Sequence, residues 1–412
     1  MRHQILNKNP HILLRIFFIL MLLASLRIFS FNAIDVKIFQ YFELLLLGIL
    51  ALLCILNTKK VRGSFSKNFG FIVLFTFTAS VPAYFFHGQS FFLSFFISRV
   101  ILYIFIYKFL HIYNFKVDFV LKVLFYIGWI WAAIMIIQAY TFPNIWFVIK
   151  DLDIDLVLER SRGEVLRLNI EDVRYGVLLL FSLAFLTINN LTNYTKIFYL
   201  IIIAVAIFLT GTRQIIFTCI LLLIIMYLNK NKNRFDKQII NFIMLLPIFF
   251  LISIFIFPYF TSLVTKSNED FNMQYVRILE AKFYIFEYWP KNNAFFAYLF
   301  GNGWEHGRSD YGLEIHNNHW KSMGFYREDI GILGAFNTFG FMYVVSIIAF
   351  FNKILKLNFS RSTIFIKYFF LFLTLTYFTG SNFFTDNDVI PIIACLAFVV
   401  DKNVINKKYL HK

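Results

Sequence analysis

Apolar residues run along this chain in long blocks separated by short polar clusters, and the block length predicts transmembrane helices. A helix needs roughly 17–25 predominantly apolar residues to cross a hydrocarbon core. Twelve stretches meet or approach that length, at about 12–31, 39–57, 69–87, 91–113, 118–141, 175–191, 195–210, 213–229, 239–260, 328–351, 363–380 and 387–401. The seventh is cut short by Thr210-Gly211-Thr212-Arg213, and the last contains Pro391. The pattern predicts an all-α fold: a polytopic integral membrane helix bundle of about 12 transmembrane helices, with residues 1–412 forming a single membrane domain. Two longer polar stretches interrupt the bundle, at about 142–174 and 262–326. No soluble domain, low-complexity linker or internal repeat is visible.

Charge gives the bundle an orientation. With an even number of spans and a cytoplasmic start, the inner segments collect Arg2 and Lys8, then Lys59, Lys60, Arg62 and Lys67, then Lys108 and Lys116. Lys196, then Lys230, Lys232, Arg234 and Lys237 follow on the same side, as do Lys353, Lys356, Arg361 and Lys367, and the Lys residues from 402 to 412. The short outer links hold only Lys37 and Arg213. This asymmetry follows the positive-inside rule, so both termini are expected in the cytoplasm and both long loops outside it.

Composition narrows the class further. The chain is 59% hydrophobic and 21% aromatic, beyond what a soluble domain can bury. Its formal net charge of +16 lies in short clusters between apolar runs, which excludes a nucleic-acid partner. Cys54, Cys219 and Cys395 lie in or at the edge of apolar runs, so neither a disulfide framework nor a metal site is expected. The first apolar run contains Arg15 and Arg27 and lacks a small-residue cleavage site, so it reads as a retained span.

The candidate chemistry concentrates in the second long loop. Arg277 opens a segment, 275–288, in which Val276, Leu279, Phe283 and Phe286 recur at helical spacing. That amphipathic helix is expected to lie on the membrane surface or dock on the bundle. Arg277, Glu280, Ala281 and Tyr284 share its other face, either as a solvated ion pair or as part of an anion clamp with a carboxylate beside it. Gly301-Asn302-Gly303 marks a tight turn. His316 and His319 flank two asparagines, and an imidazole has an intrinsic pKa suited to general base work. Glu328 and Asp329 open the next span, as capping charges or as partners or substitutes for that base.

Outside that loop, Arg213 follows Gly211 and Thr212 at the start of an apolar run. It reads either as a boundary charge that snorkels to the interface or as an anion site at a helix N-terminus, where its planar fork matches phosphate oxygens. Arg167 and Arg174, in a first loop of mixed charge, lie near the following span and are candidates for the same site. Charge within a span is costly. Arg99 is therefore expected to face the bundle, with Glu43 as its partner, while Arg15, Arg27 and Lys122 can snorkel.

In this order, the pieces resemble the O-antigen polymerase and O-antigen ligase superfamily of bacterial inner-membrane proteins. The similarity is strongest over about 195–345. Thr210-Gly211-Thr212-Arg213 is similar to the family's arginine turn before a span, and Arg277 to the arginine opening its amphipathic helix. Leu299-Phe300-Gly301-Asn302-Gly303 resembles its Gly-x-Gly loop end, and His316-Asn317 with Gly331-Ile332-Leu333-Gly334 its histidine and helix start. His316 lies farther from Gly331 than in ligase-like members, and the intervening 321–329 stretch leans towards a repeat-unit polymerase.

The resemblance implies a membrane glycosyltransferase that needs no cofactor or metal. Its substrates would be polyprenyl-pyrophosphate-linked oligosaccharides within the lipid bilayer, and a chain-length regulator and a flippase would be further partners. Arg213 and Arg277, with Arg167 and Arg174, would hold pyrophosphate, while His316, Asp329 and Glu280 would serve as catalytic groups. Ligation of glycan to a lipid core is the nearest alternative. A flippase or other transporter, which internal repeats would favour, is the alternative from another class.

The charge pattern makes a direct prediction. Reporter fusions after Asn233 and after Asn293 should report opposite sides of the membrane, cytoplasmic and external respectively. The same side for both would overturn the topology.

Overall fold

The computed structural model of the protein describes residues 11–26, 36–57, 63–141, 144, 146, 276–290, 294–357, 359, 363–377 and 389–405, with isolated positions between 201 and 222. All regular structure among these residues is helical. The spans expected at 175–191 and 239–260, and most of the 142–174 loop, lie outside them, and those at 195–210 and 213–229 are described only at isolated helical positions.

Among the described residues, five helices are long and apolar enough to cross a membrane: Lys37–Leu56, Ser66–His87, Phe91–Ile112, Val117–Thr141 and Ile332–Leu355. Each falls within a few residues of an expected span. α1 (Ile12–Ser25) is shorter, and α2 (Val36–Leu56) is followed by a rod made of α3 (Ser66–Thr78) and α4 (Ser80–His87). The rod stops because Gly88 turns left-handed at φ +68° and Gln89 N–H donates back to Ala83 O at 3.0 Å. A left-handed glycine with back-bonds into the last turn is a glycine helix stop. Ser90 then caps α5 (Phe91–Ser98) by accepting from Leu93 N–H.

The span that follows is not uniform. A 3₁₀ stretch, Arg99–Ile104, separates α5 from α6 (Phe105–Ile112). Arg99 itself supplies the cause. Its guanidinium donates to Phe96 O at 2.6 Å and stacks over the Phe96 ring, intruding on the helical ladder. The same guanidinium lies 3.3 Å from the Glu43 carboxylate on α2, and Tyr103 O–H donates to that carboxylate at 2.9 Å. The expected partner is therefore the observed one, and the charge is neutralised inside the bundle.

α7 (Val117–Thr141) completes the first half. In the second, a helical segment over 276–287 leads to α8 (Ala294–Phe300) and α9 (Asp310–Glu314), with a π-helical turn at Ile315–Lys321. α10 (Ile332–Leu355), α11 (Ile364–Tyr377) and α12 (Val389–Val400) follow. α10 starts at Ile332 rather than 328 because Arg327–Ile330 is a 3₁₀ turn and Gly331 takes φ +53° and ψ −119°. Every residue of α12 is buried. Pro391 sits in its first turn, where helical N–H groups have no intrahelical acceptor, so the proline is accommodated.

Polar groups gather at the two ends of these helices. At one end the Asp401 carboxylate accepts from Ser64 N–H at 2.9 Å and from the Tyr107 hydroxyl, and lies 3.2 Å from His111. Lys353 donates there to Ser64 O and Asn68 Oδ1. The opposite end carries the 87–90 turn and the start of α10. The bundle thus brings 63–68, 353 and 401 together at one end, as the charge pattern groups them.

α10 is broken in its interior. Gly340 has φ +82° and ψ 176°, which interrupts the hydrogen-bond ladder and frees two carbonyls upstream. Asn302 N–H donates to Asn337 O at 2.8 Å and Gly303 N–H to Thr338 O at 2.9 Å, so the loop satisfies both. Such close approach needs glycine on both sides. A Cβ on Gly340 would lie 2.4 Å from Leu299 O, and one on Gly301 2.2 Å from Thr338 O.

Gly340→Ala should therefore destabilise the protein by at least ~2 kcal/mol, from strain at positive φ and from the clash. Gly70→Ala, in α3 with open space around it, should cost nothing. Thermal unfolding in detergent compares the two, and equal midpoints would remove the interlock as a structural constraint.

Candidate functional site

The end of the bundle beside His87 carries the only dense polar network found there among the described residues. Gln89 anchors it. This side chain is 1% exposed and uses its full amide inventory. Its Nε2 donates to Trp304 O at 2.7 Å and Ser94 Oγ at 2.8 Å, while its Oε1 accepts from His306 N–H and Ser309 Oγ, both at 2.8 Å. The 304–309 stretch is thereby tied to the 88–90 turn. Asn302, fully buried, donates to Tyr288 O at 3.1 Å and faces His87 Nε2 at 3.4 Å. Asn337 Nδ2 donates to Tyr284 O at 2.8 Å and Tyr288 O at 3.2 Å, binding the 276–290 segment to α10.

At the centre lies Arg327, 3% exposed. Its guanidinium pairs with Glu305 at 3.1 Å, donates to Gly303 O at 3.2 Å and to the Tyr311 hydroxyl at 2.8 Å. It also lies 5.4–5.7 Å from the ring centres of Tyr284, Tyr288 and Tyr311. A cation surrounded by three ring faces is stabilised by their quadrupoles. Burial works against the charge, but Glu305 and the tyrosines raise the pKa above the ordinary arginine value. His87 stacks on Tyr311 at 4.1 Å, closing the cage.

His319 packs edge-on against Tyr288 and Phe283, with Nδ1 3.4 Å from the Tyr284 hydroxyl. Burial, helped by the Arg327 charge, lowers its pKa to about 4, so it is neutral at physiological pH. His316 is half-buried with its ring against Trp320, whose indole stacks on Tyr326. Of the two histidines, His319 is the one built into the cage.

Glu280 is 2% exposed and accepts a hydrogen bond from Tyr326 N–H. Its pKa is raised to about 7. Burial is the main cause; the Tyr326 N–H opposes it, the Asp329 charge adds to it, and the Arg277 charge opposes it. Asp329 and Arg277 are both exposed. The fold therefore brings Arg277, Glu280 and Asp329 into one electrostatic group at the rim of the cage, with His316 farther along the aromatic row. Arg213, Arg167 and Arg174 lie outside the described residues.

The segment 325–327 is pinned at three points. Phe325 O accepts from the Tyr284 hydroxyl at 3.2 Å, Tyr326 N–H donates to Glu280, and the Arg327 side chain is held as above. Sequence reasoning missed Arg327, Glu305 and Gln89. The one available signal was the aromatic density of 283–289, which is what a buried cation requires. Among the described residues no group of three His, Cys, Asp or Glu side chains could hold a metal ion.

Comparison with protein-family models and with curated proteins finds no match to this chain.

Removing one partner of a buried ion pair leaves the other charge unpaired, at a cost of roughly 3–5 kcal/mol. Arg327→Ala should show that loss in thermal unfolding. Arg327→Met combined with Glu305→Leu should recover much of it, because no charge is then stranded. Equal stability of Arg327→Ala and the parent would deny the pair its structural role.

Proposed function

We propose that the protein is a membrane glycosyltransferase that joins polyprenyl-pyrophosphate-linked oligosaccharide repeat units into a polysaccharide. The observation that carries this reading is the group formed by Glu280, Asp329 and Arg277. A buried carboxyl with a pKa near 7 is matched to proton transfer at physiological pH. An exposed guanidinium beside it suits a phosphate, with a planar fork for two oxygens.

In the reaction we assign, a hydroxyl of the acceptor repeat unit attacks the anomeric carbon of the donor glycan. Its proton passes to the Glu280 carboxylate as the new glycosidic bond forms. The bond between the anomeric carbon and the polyprenyl pyrophosphate breaks, and the pyrophosphate departs as an anion stabilised by Arg277. Asp329 holds the Glu280 pKa up and orients the acceptor. We assign the base to Glu280 rather than His316 because Trp320 and Tyr326 stand in the aromatic row between His316 and Glu280. The membrane is that of a bacterial cell, with the site on its outer side and the termini in the cytoplasm. This orientation rests on the distribution of Lys and Arg.

The expected outcomes are specific. A base must be deprotonated, so polymerisation should rise as pH passes about 7. Glu280→Gln should lower the rate by ~10²–10⁴ and abolish that limb of the profile. Arg277→Ala should also prevent polymer formation at normal protein levels, and Arg277→Lys should rescue it poorly. A deletion strain should decorate its acceptor with single repeats and make no ladder. Purified protein with the lipid-linked repeat alone should make oligomers. Long lipid-linked polymer left undelivered in that strain would identify a ligase, and repeats trapped on the cytoplasmic face a flippase.

A further inference from the structure

The register of α8 against its neighbours follows the chain inward from the end of the bundle and back out. Phe296 lies beside Phe86, at the last turn of α4, with ring centres 6.5 Å apart. Tyr298 stacks on Phe336, one turn into α10, at 6.4 Å. Gly301 then meets Thr338 and Gly340, eight residues beyond the start of α10. At ~1.5 Å per residue, that contact is about 12 Å along the helix. A second neighbour gives the same depth independently. Gly303 packs against Ala79 O and Ala83, and Ala79 lies eight residues before the end of α4 at His87. Trp304 O and His306 N–H are back at Gln89, beyond that end.

α10 is about 36 Å long at the same rise, and a hydrocarbon core is about 30 Å thick. With the core centred on α10, the turn at Gly301–Gly303 lies about 9 Å beneath the hydrocarbon edge. Irregular backbone survives at that depth only when protein covers it and satisfies its polar groups. Gly301, Asn302 and Gly303 are all buried, and the carbonyls freed by Gly340 take two of their N–H groups. The outer face of α8 is different. Phe295 is 76% exposed, and Phe296 and Tyr298 are exposed beside it. This face continues the exposed apolar surface of the spans at Phe85 and Phe341.

We infer that residues 294–306 form a re-entrant hairpin within one leaflet, whose α8 face contacts lipid acyl chains. The hairpin enters as a helix, turns on the two glycines and returns to the surface at Gln89. The Arg327 guanidinium, which donates to Gly303 O at 3.2 Å, is thereby held against the glycine turn. This inference stands on packing register and does not depend on the assigned reaction.

The test is a depth measurement. The three native cysteines described are buried, so Phe295→Cys, Tyr298→Cys and, as an exposed loop control, Lys321→Cys can each carry a fluorescent thiol label. The proteins are placed in phosphatidylcholine vesicles, with the unsubstituted protein as labelling blank. Labels at 295 and 298 should be strongly quenched by phosphatidylcholine with brominated acyl chains and barely by aqueous iodide. The label at 321 should respond in the opposite sense. Iodide quenching at 295 and 298 equal to that at 321 would overturn the hairpin. Quenching there by neither agent would overturn it too, because protein rather than lipid would then cover α8.

Discussion

The break at Gly340 is the constraint on which the described site depends. A helix crossing a membrane cannot leave backbone groups unpaired, because no water is present to take them. Gly340 leaves the carbonyls of Asn337 and Thr338 without helical partners, and only the N–H groups of Asn302 and Gly303 reach them. The loop is therefore held by hydrogen bonds that the helix itself requires. Asn337 adds a side-chain contribution, since its amide donates to the carbonyls of Tyr284 and Tyr288. One interrupted turn of α10 thus fixes two separate stretches of the loop, and the residues between them have little freedom left.

Charge placement in the bundle follows the same economy. Three buried ions among the described residues are matched close at hand: Arg99 with Glu43 and the Tyr103 hydroxyl, Asp401 with Ser64, Tyr107 and His111, and Arg327 with Glu305 and Tyr311. Burial of a lone charge would cost far more than any surface pair returns. The three groups sit on different elements, so each also fixes the relative position of helices distant in sequence.

The five described spans were legible in the sequence because apolar blocks of helix-spanning length carry a strong, local signal. The expected spans at 39–57, 69–87 and 118–141 correspond to Val36–Leu56, Ser66–His87 and Val117–Thr141. The Arg99–Glu43 pair was legible for a different reason, since two opposite charges in neighbouring spans have few alternatives. The interlock was not. Gly301-Asn302-Gly303 marked a turn, but its partner Gly340 lies in an apolar run where a glycine carries no distinguishing pattern. Arg327 was hidden by its neighbours: beside Glu328 and Asp329 it reads as part of a solvated helix start. Its burial is set by tyrosines up to 43 residues away, and no local window contains them. Glu280 was visible beside Arg277 on a helix face and, through the resemblance, as a catalytic candidate, but its altered pKa was not, because it arises from burial that periodicity does not encode.

The cage and the carboxyl pair are consequently one apparatus. Arg327 cannot move without stranding Glu305, and its backbone neighbour Tyr326 supplies the N–H that holds Glu280. That hydrogen bond favours the charged carboxyl, whereas burial and Asp329 favour the neutral one. The balance near neutrality is therefore a consequence of where the 325–329 segment is pinned, rather than a property of Glu280 alone. A displacement of that segment would expose the carboxyl to water and also remove its donor. Exposure would restore an ordinary carboxylate, and loss of the donor would oppose this only weakly. Rigidity in the structural half of the site, from Gly340 through the glycine turn to Arg327, is what sets the acid–base character of the other half.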